Sequence, residues 1–161
     1  MLKNVVLILA LLTLVSSIVA CNSNGVQSEG RIEATWIEPE VLGDTVSISV
    51  SEVDRDRNVH FNLKTEDGDM NFMAYVLDGE IHVRANVCPP CQSIGFSLDG
   101  DILVCNRCAT KFKAQTGEGI SGACVDFPKA SVTYEISGDD IVMDSADLAT
   151  AYQNTLEPGP P

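Results

Sequence analysis

Histidine is almost missing from this chain: 161 residues hold two, His60 and His82. Both fall on the polar sides of alternating runs and are expected to face solvent. No nucleophile–base pair is evident, so hydrolytic catalysis has little support. Basic residues are scarce too, 10 against 23 acidic, for a net charge of −13. Such a surface repels phosphate backbones and offers no polybasic membrane patch, which excludes nucleic acid as a partner. After residue 20 no apolar run approaches the roughly 20 residues of a membrane span. Met70, Met73 and Met143 stand singly in strand-like runs, so copper binding by thioethers has little support. No repeat of fixed period occurs. The one tryptophan, Trp36, is expected in the core.

The first twenty residues join one basic side chain, Lys3, to an apolar run from Val5 to Leu14. That is the design of a secretory signal, and it is too short for a comfortable span. Its end, Ile18-Val19-Ala20-Cys21, resembles a bacterial lipobox. The resemblance implies cleavage before Cys21 and a lipid on its sulfur, which places the protein outside the cytoplasm on a bacterial membrane. An ordinary cleaved signal and an uncleaved anchor are the alternatives. With Lys3 in the leader, nine basic and 23 acidic side chains remain, a net of −14. Residues 21–35 then form a lipidated cysteine and polar tether. Residues 36–144 form one domain, and 145–161 a short helix and a disordered tail.

The domain reads as mainly β. "TVSISVS" alternates, with Val46, Ile48 and Val50 on one face, and "NVHFNLK" does so with Val59, Phe61 and Leu63. "MNFMAYVL" is apolar on both faces, as in a strand inside a core. In "IHVRANV", Ile81, Val83, Ala85 and Val87 point one way, and His82, Arg84 and Asn86 the other. Asp78-Gly79 is a strong hairpin signal, and Asp67-Gly68 and Asp99-Gly100 mark further turns. "SVTYEIS" and "DIVMD" flank Gly138 as a last hairpin. "SADLATAYQN" predicts a helix capped by Asp144 or Ser145. Short strands at this spacing indicate a small antiparallel sandwich or barrel.

Chemistry concentrates in "NVCPPCQSIGFSLDGDILVCNRCATKF". Cys88, Cys91, Cys105 and Cys108 make the pattern C-x2-C-x13-C-x2-C. Each C-x-x-C lets two thiolates face one metal or one cluster edge while backbone amides donate to sulfur. Two such knuckles supply four thiolates, enough for tetrahedral zinc, a single iron or an iron–sulfur cluster. Disulfides are permitted in this compartment. With Cys21 lipidated, however, five cysteines remain and cannot all pair.

The stretch from Val83 to Gly122 looks like a Rieske iron–sulfur domain. It has a strand into a first ligand loop, a hairpin into a second, then Phe112, a Thr116-Gly117-Glu118 turn and a loop bearing Pro128. Rieske loops read Cys-x-His and Cys-x-x-His, whereas these read Cys-Pro-Pro-Cys and Cys-Asn-Arg-Cys. The chain from about Trp36 to Met143 is more similar to the FtrD-like family of membrane iron–sulfur proteins. The resemblance rests on Asp78-Gly79, Ile81, Arg84-Ala85, Cys88, Cys91, Gly95-Phe96, Leu103-Val104-Cys105, Cys108 and Phe112. A Gly-Cys segment follows, here Gly122-Ala123-Cys124-Val125-Asp126, where the family tends to show Gly-Gly-Cys-Asn-Pro. It implies a Rieske-like fold, an iron–sulfur cofactor, and a membrane permease or oxidoreductase handling iron as partner. Some members carry several transmembrane helices; here the lipid would replace them. On the Rieske-like topology, Cys124 falls in the loop covering the metal and is a candidate extra ligand.

Arg107, Lys111 and Lys113 flank the second knuckle, either to offset thiolate charge or as a solvated strand face. Pro89-Pro90 stiffens the first knuckle and removes two amide donors. Ile94, Phe96, Phe112 and Phe127 are expected to shield the site. Three functions remain open: an electron-transfer or metal-binding module, a zinc-ribbon-like surface binding module, and a thiol–disulfide protein. The context of a thioredoxin-like site is lacking for the third.

Overall fold

The computed structural model describes residues 30–66 and 68–159. The leader, Cys21 and most of the tether lie outside the described residues, as does Asp67. The chain between is mainly β, in three four-stranded sheets. The first runs β1 (Thr35–Trp36), β4 (Asn58–Thr65), β5 (Gly68–Leu77), β6 (Glu80–Ala85). The second runs β10 (Gly119–Ser121), β9 (Lys111–Lys113), β8 (Ile102–Cys105), β7 (Phe96–Asp99). The third runs β11 (Glu135–Ser137), β12 (Asp140–Asp144), β3 (Thr45–Ser49), β2 (Glu40–Leu42). Apart from the parallel β1–β4 contact, the strand pairs are antiparallel.

Strand β5 explains the architecture. Its side chains alternate between two cores. Phe72, Ala74 and Val76 join the larger one, with Val59, Phe61, Val83, Ile141 and Leu148. Met73, Tyr75 and Leu77 join the smaller one, with Cys88, Phe96, Leu103, Cys105, Phe112 and Cys124. A strand apolar on both faces is stable only with a packed layer on each side. The second layer here is the sheet that carries the cysteines.

The turns follow local chemistry. Asp78 and Gly79 both take positive φ, 53° and 82°, between paired Leu77 and Glu80. That is a two-residue turn whose twist suits the flanking strands. Gly100 and Gly138 turn their hairpins at φ 60° and 62°. Helix α2 (Ser145–Leu156) begins where the sequence placed it, with the Asp144 carboxylate accepting from the Ala146 amide.

Two elements differ from the sequence reading: "SVTYEIS" is a strand only over Glu135–Ser137, and a helix interrupts the first alternating run. The strand expected through Ser51 stops at Ser49, and helix α1 (Val50–Asp56) follows. Ser49 Oγ accepts from the Ser51 amide at 3.2 Å. Ser49-Val50-Ser51-Glu52 is the Ser-x-x-Glu of a capping box, so the start signal was present. The β-branched run masked it. Arg57 ends the helix at φ 64°.

Candidate metal centre

The first knuckle leaves β6 and closes on itself: the Cys88 amide donates to Ser93 O at 2.8 Å. The second leaves β8. The Cys105 amide donates to Thr110 O and the Ala109 amide to Cys105 O, each at 2.9 Å, with Ala109 at φ 56°. The knuckles are tied to each other by the Asn106 amide, which donates to Gly95 O at 2.9 Å. Ser97 Oγ supports the same turn, donating to Asn106 Oδ1 at 2.6 Å.

This brings together the sulfurs of Cys88, Cys91, Cys105 and Cys108, all within 4.8 Å of one another. Cys91 and Cys105 lie 3.7 Å apart although they belong to different knuckles. A tetrahedral ion bonded to sulfur at about 2.3 Å sets its ligands about 3.8 Å apart; Cys91 and Cys105 are already at that spacing, and the four sulfurs, within 4.8 Å of one another, need only small shifts to bind one such ion. An iron–sulfur cluster uses the same all-thiolate donor set. Cys124 reaches the rim of this group, its sulfur 3.7 Å from that of Cys108. The five described cysteines are free thiols.

The site has a dry side and a wet side. Cys88, Cys105 and Cys124 are buried, whereas Cys91 and Cys108 are half-buried. Burial pushes the Cys88 thiol up, and its thiol neighbours Cys91 and Cys124 add to this. Burial also raises Cys105, against the Ser93 hydroxyl and the Cys108 and Arg107 amides. At Cys108 burial opposes ionisation, but the Thr110 hydroxyl and amide and two neighbouring thiols overcome it and bring the thiol to about 6. The thiol that ionises most readily, Cys108, thus lies at the wet edge, and the two that burial holds back, Cys88 and Cys105, lie inside.

A cover segment closes the buried side. Cys124 N donates to Thr110 Oγ1 at 3.2 Å, and Gly122 crosses Thr110 so closely that an added Cβ would lie 2.6 Å from the same oxygen. At Gly119 a Cβ would meet Val125 O at 2.2 Å. Arg84 holds the ends of this segment. Its Nη2 donates to Gln115 O at 2.6 Å, its Nη1 to Lys129 O at 2.9 Å, and its Nε to the Tyr75 hydroxyl at 2.8 Å. Tyr75 in turn donates to Ala114 O at 2.6 Å. Beneath the cover lies Lys129, fully buried, with its ammonium donating to Val87 O at 2.7 Å. Burial lowers it to about 8, and the thiols of Cys88, Cys105, Cys124 and Cys91 pull the other way.

Several expected placements are corrected here. His60 is 1 % exposed, because the face of β4 opposite the larger core is covered by β1 and the cysteine sheet. Trp36 packs edge-on against it, at 5.3 Å between ring centroids. Trp36 itself, expected in the core, is 50 % exposed on the short β1. His82 is half-buried and stacks on Tyr75. Arg84 is buried too, under the segment whose Gln115 and Lys129 carbonyls it bonds. Phe96 and Phe112 shield the thiols and Phe127 is half-buried, but Ile94 is 42 % exposed at the first knuckle. Arg107, Lys111 and Lys113 are exposed, and Lys113 pairs with Glu118 at 2.8 Å. Sequence reading overlooked Lys129, Thr110 and Tyr75 at the site. A single lysine, threonine or tyrosine carries no periodicity that would mark it.

His60 has a testable consequence. Burial lowers it to about 4, a bond with the Phe96 backbone offsetting this in part, and its Nε2 has no hydrogen-bond partner. At pH 7 the folded imidazole is neutral and the unfolded one mostly so. Below 6.5 the unfolded chain takes up a proton that the folded imidazole refuses until about pH 4. Stability therefore falls on acidification across that window, by up to about 1.4 kcal/mol per pH unit. Urea unfolding of His60→Leu should lack this slope. Parallel pH profiles for the variant and the wild-type protein would show that His60 is not its source.

A family model described as "Membrane iron-sulfur containing protein FtrD-like" matches residues 53–154. Among solved structures, the chain is similar to one in the complex of reduced oxygenase and oxidized ferredoxin in carbazole 1,9a-dioxygenase. The identity is 14 % and the TM-score 0.52, over 65 % of this chain and 95 % of that one. It also resembles the Sphingomonas yanoikuyae B1 ferredoxin, at 22 % identity and TM-score 0.42, over 52 % of this chain and 83 % of that one. The first likeness is one of fold, and it agrees with the Rieske-like architecture. No curated protein matches. Among the described residues no helix is long and apolar enough to cross a membrane.

Proposed function

The chain belongs to the FtrD-like family of membrane iron–sulfur proteins, and from that membership we propose that it is a one-electron carrier on the outer face of a bacterial membrane. Its anchor is a lipid on Cys21, and its partner a membrane permease or oxidoreductase that handles iron. The observation carrying this reading is the gathering of Cys88, Cys91, Cys105 and Cys108 within 4.8 Å, with two thiols buried and two half-buried. Iron bound there supplies reversible one-electron chemistry. The protein's part is to hold four thiolates in place, to exclude water with Phe96, Phe112 and Leu103, and to present the Cys91–Cys108 edge to a partner. Exposed Ile94 beside that edge gives the partner an apolar contact.

The test is a visible spectrum of the full chain, solubilised in detergent without oxygen, before and after dithionite, with iron and inorganic sulfide assayed on the same sample. Broad absorption that bleaches on reduction supports the electron carrier. A colourless protein with one zinc replaces it with a surface binding module built on the same four ligands. Cys21→Ala should move the protein from the membrane fraction to the soluble one; retention in the membrane would remove the lipid anchor.

A further inference from the structure

Lys129 is the one buried lysine among the described residues, and it is 0 % exposed. Its ammonium has three protons to donate. One bond is accounted for, to the carbonyl of Val87, the residue before Cys88. The rest of its surroundings are aromatic: Nζ lies 4.6 Å from the ring centroid of Phe112 and 5.4 Å from that of Phe96. Both rings belong to the core cluster that contains Cys88, Cys105 and Cys124. No carboxylate hydrogen-bonds to Lys129 among the described residues, and the acidic groups around it are the thiols of Cys88, Cys105, Cys124 and Cys91.

A buried ammonium without a counter-charge is costly, and two cation–π contacts and one carbonyl recover only part of that cost. In the metal-free protein the arrangement is therefore poor. Loading the site changes the balance. Four thiolates outweigh a divalent or trivalent ion, so the filled centre is net negative inside a low-dielectric core. The chain as a whole is strongly acidic and gives that charge no relief. Lys129 is fully buried, where water cannot screen, whereas Cys91 and Cys108 are half-buried.

We propose that Lys129 is the internal counter-ion of the four-thiolate centre, a positioning charge that favours the filled site over the empty one and the reduced state over the oxidised one. The metal part of this inference rests only on the four thiols binding a cation. Its redox part rests on the electron-transfer reading above.

The experiment compares wild type, Lys129→Met and Lys129→Arg as full chains, with three readouts. Urea unfolding of the metal-free proteins should show Lys129→Met as stable as wild type or more so, since a buried charge has gone and the stem volume is kept. Cobalt(II), used as a thiolate-binding probe in competition with a chelator, should bind Lys129→Met at least tenfold more weakly, with Lys129→Arg in between. In the iron-loaded protein, the reduced-to-oxidised ratio at fixed potential should fall about tenfold in Lys129→Met, about 59 mV for one electron. Unchanged cobalt affinity in a folded Lys129→Met overturns the proposal. Weaker cobalt binding with no redox response in any variant keeps the counter-ion and sinks electron transfer instead. If Lys129→Met does not fold, the same affinity comparison on Lys129→Gln and Lys129→Arg decides.

Discussion

Cys105→Ser purifies without metal. Cys105 is buried, and its sulfur lies 3.7 Å from that of Cys91, so it joins the two knuckles across the site. A serine hydroxyl does not ionise at neutral pH and is a poor ligand for iron or zinc, so the donor set drops to three. Losing one outer-shell partner of a metal ligand already costs 10–100-fold in affinity. Loss of a ligand should exceed the upper end of that range. Binding is also folding energy in such sites. The variant should therefore unfold at lower urea concentration than the loaded wild type, and near the metal-free wild type. Cys124→Ser is the contrast. Cys124 stands at the rim, its sulfur 3.7 Å from that of Cys108 and its thiol also a neighbour of Cys88. It should keep the metal and change the spectrum through its contact with Cys108. Metal content and visible absorption of the two variants decide both roles. Full metal in Cys105→Ser would dismiss the four-ligand assignment, and an unchanged spectrum in Cys124→Ser would remove Cys124 from the site.

Arg84→Met loosens the cover and should shorten the time for which metal stays bound. The guanidinium donates to three oxygens from distant segments: the Tyr75 hydroxyl, Gln115 O and Lys129 O. None is a carboxylate, so Arg84 acts as a clamp of neutral hydrogen bonds and not as half of an ion pair. Two effects oppose each other. Removing a buried charge relieves desolvation, while three inward-facing oxygens lose their donor at roughly 1–3 kcal/mol each. The second effect wins, for a net loss of about 3 kcal/mol. Gly117→Ala attacks the same place independently. Gly117 sits at φ 79°, and its Cβ would lie 2.1 Å from Lys129 O and 2.9 Å from Arg84 Nη1. Both variants should lower the urea midpoint and speed metal loss to a chelator. Metal release at the wild-type rate in a measurably destabilised Arg84→Met would show that the clamp supports the fold but does not guard the site.

The sequence by itself determined the features that are local. Strand content came from period-two alternation, as in "NVHFNLK" and "IHVRANV". The hairpins at Asp78-Gly79, Gly100 and Gly138 came from residues that accept positive φ. Asp144 marked the start of α2, and the two C-x-x-C knuckles marked the four thiols that the fold gathers within 4.8 Å. Each signal lies within a few residues and needs no knowledge of neighbours. The FtrD-like resemblance added the Rieske-like arrangement that those local signals could not supply.

Only the tertiary structure decided which faces are dry. Alternation says that the two sides of a strand differ; it does not say what covers either side. His60 and Arg84 sit at polar positions of β4 and β6, yet the cysteine sheet and the segment from Gln115 to Lys129 pack over that side and bury both. Trp36 and Ile94 have apolar side chains, yet a two-residue strand and a ligand loop leave them at the surface. Basic residues beside the second knuckle in sequence prove exposed, while the charge at the heart of the site is Lys129, 21 residues after Cys108. A loop that folds back over the centre delivers it, and that long-range closure has no local pattern to read.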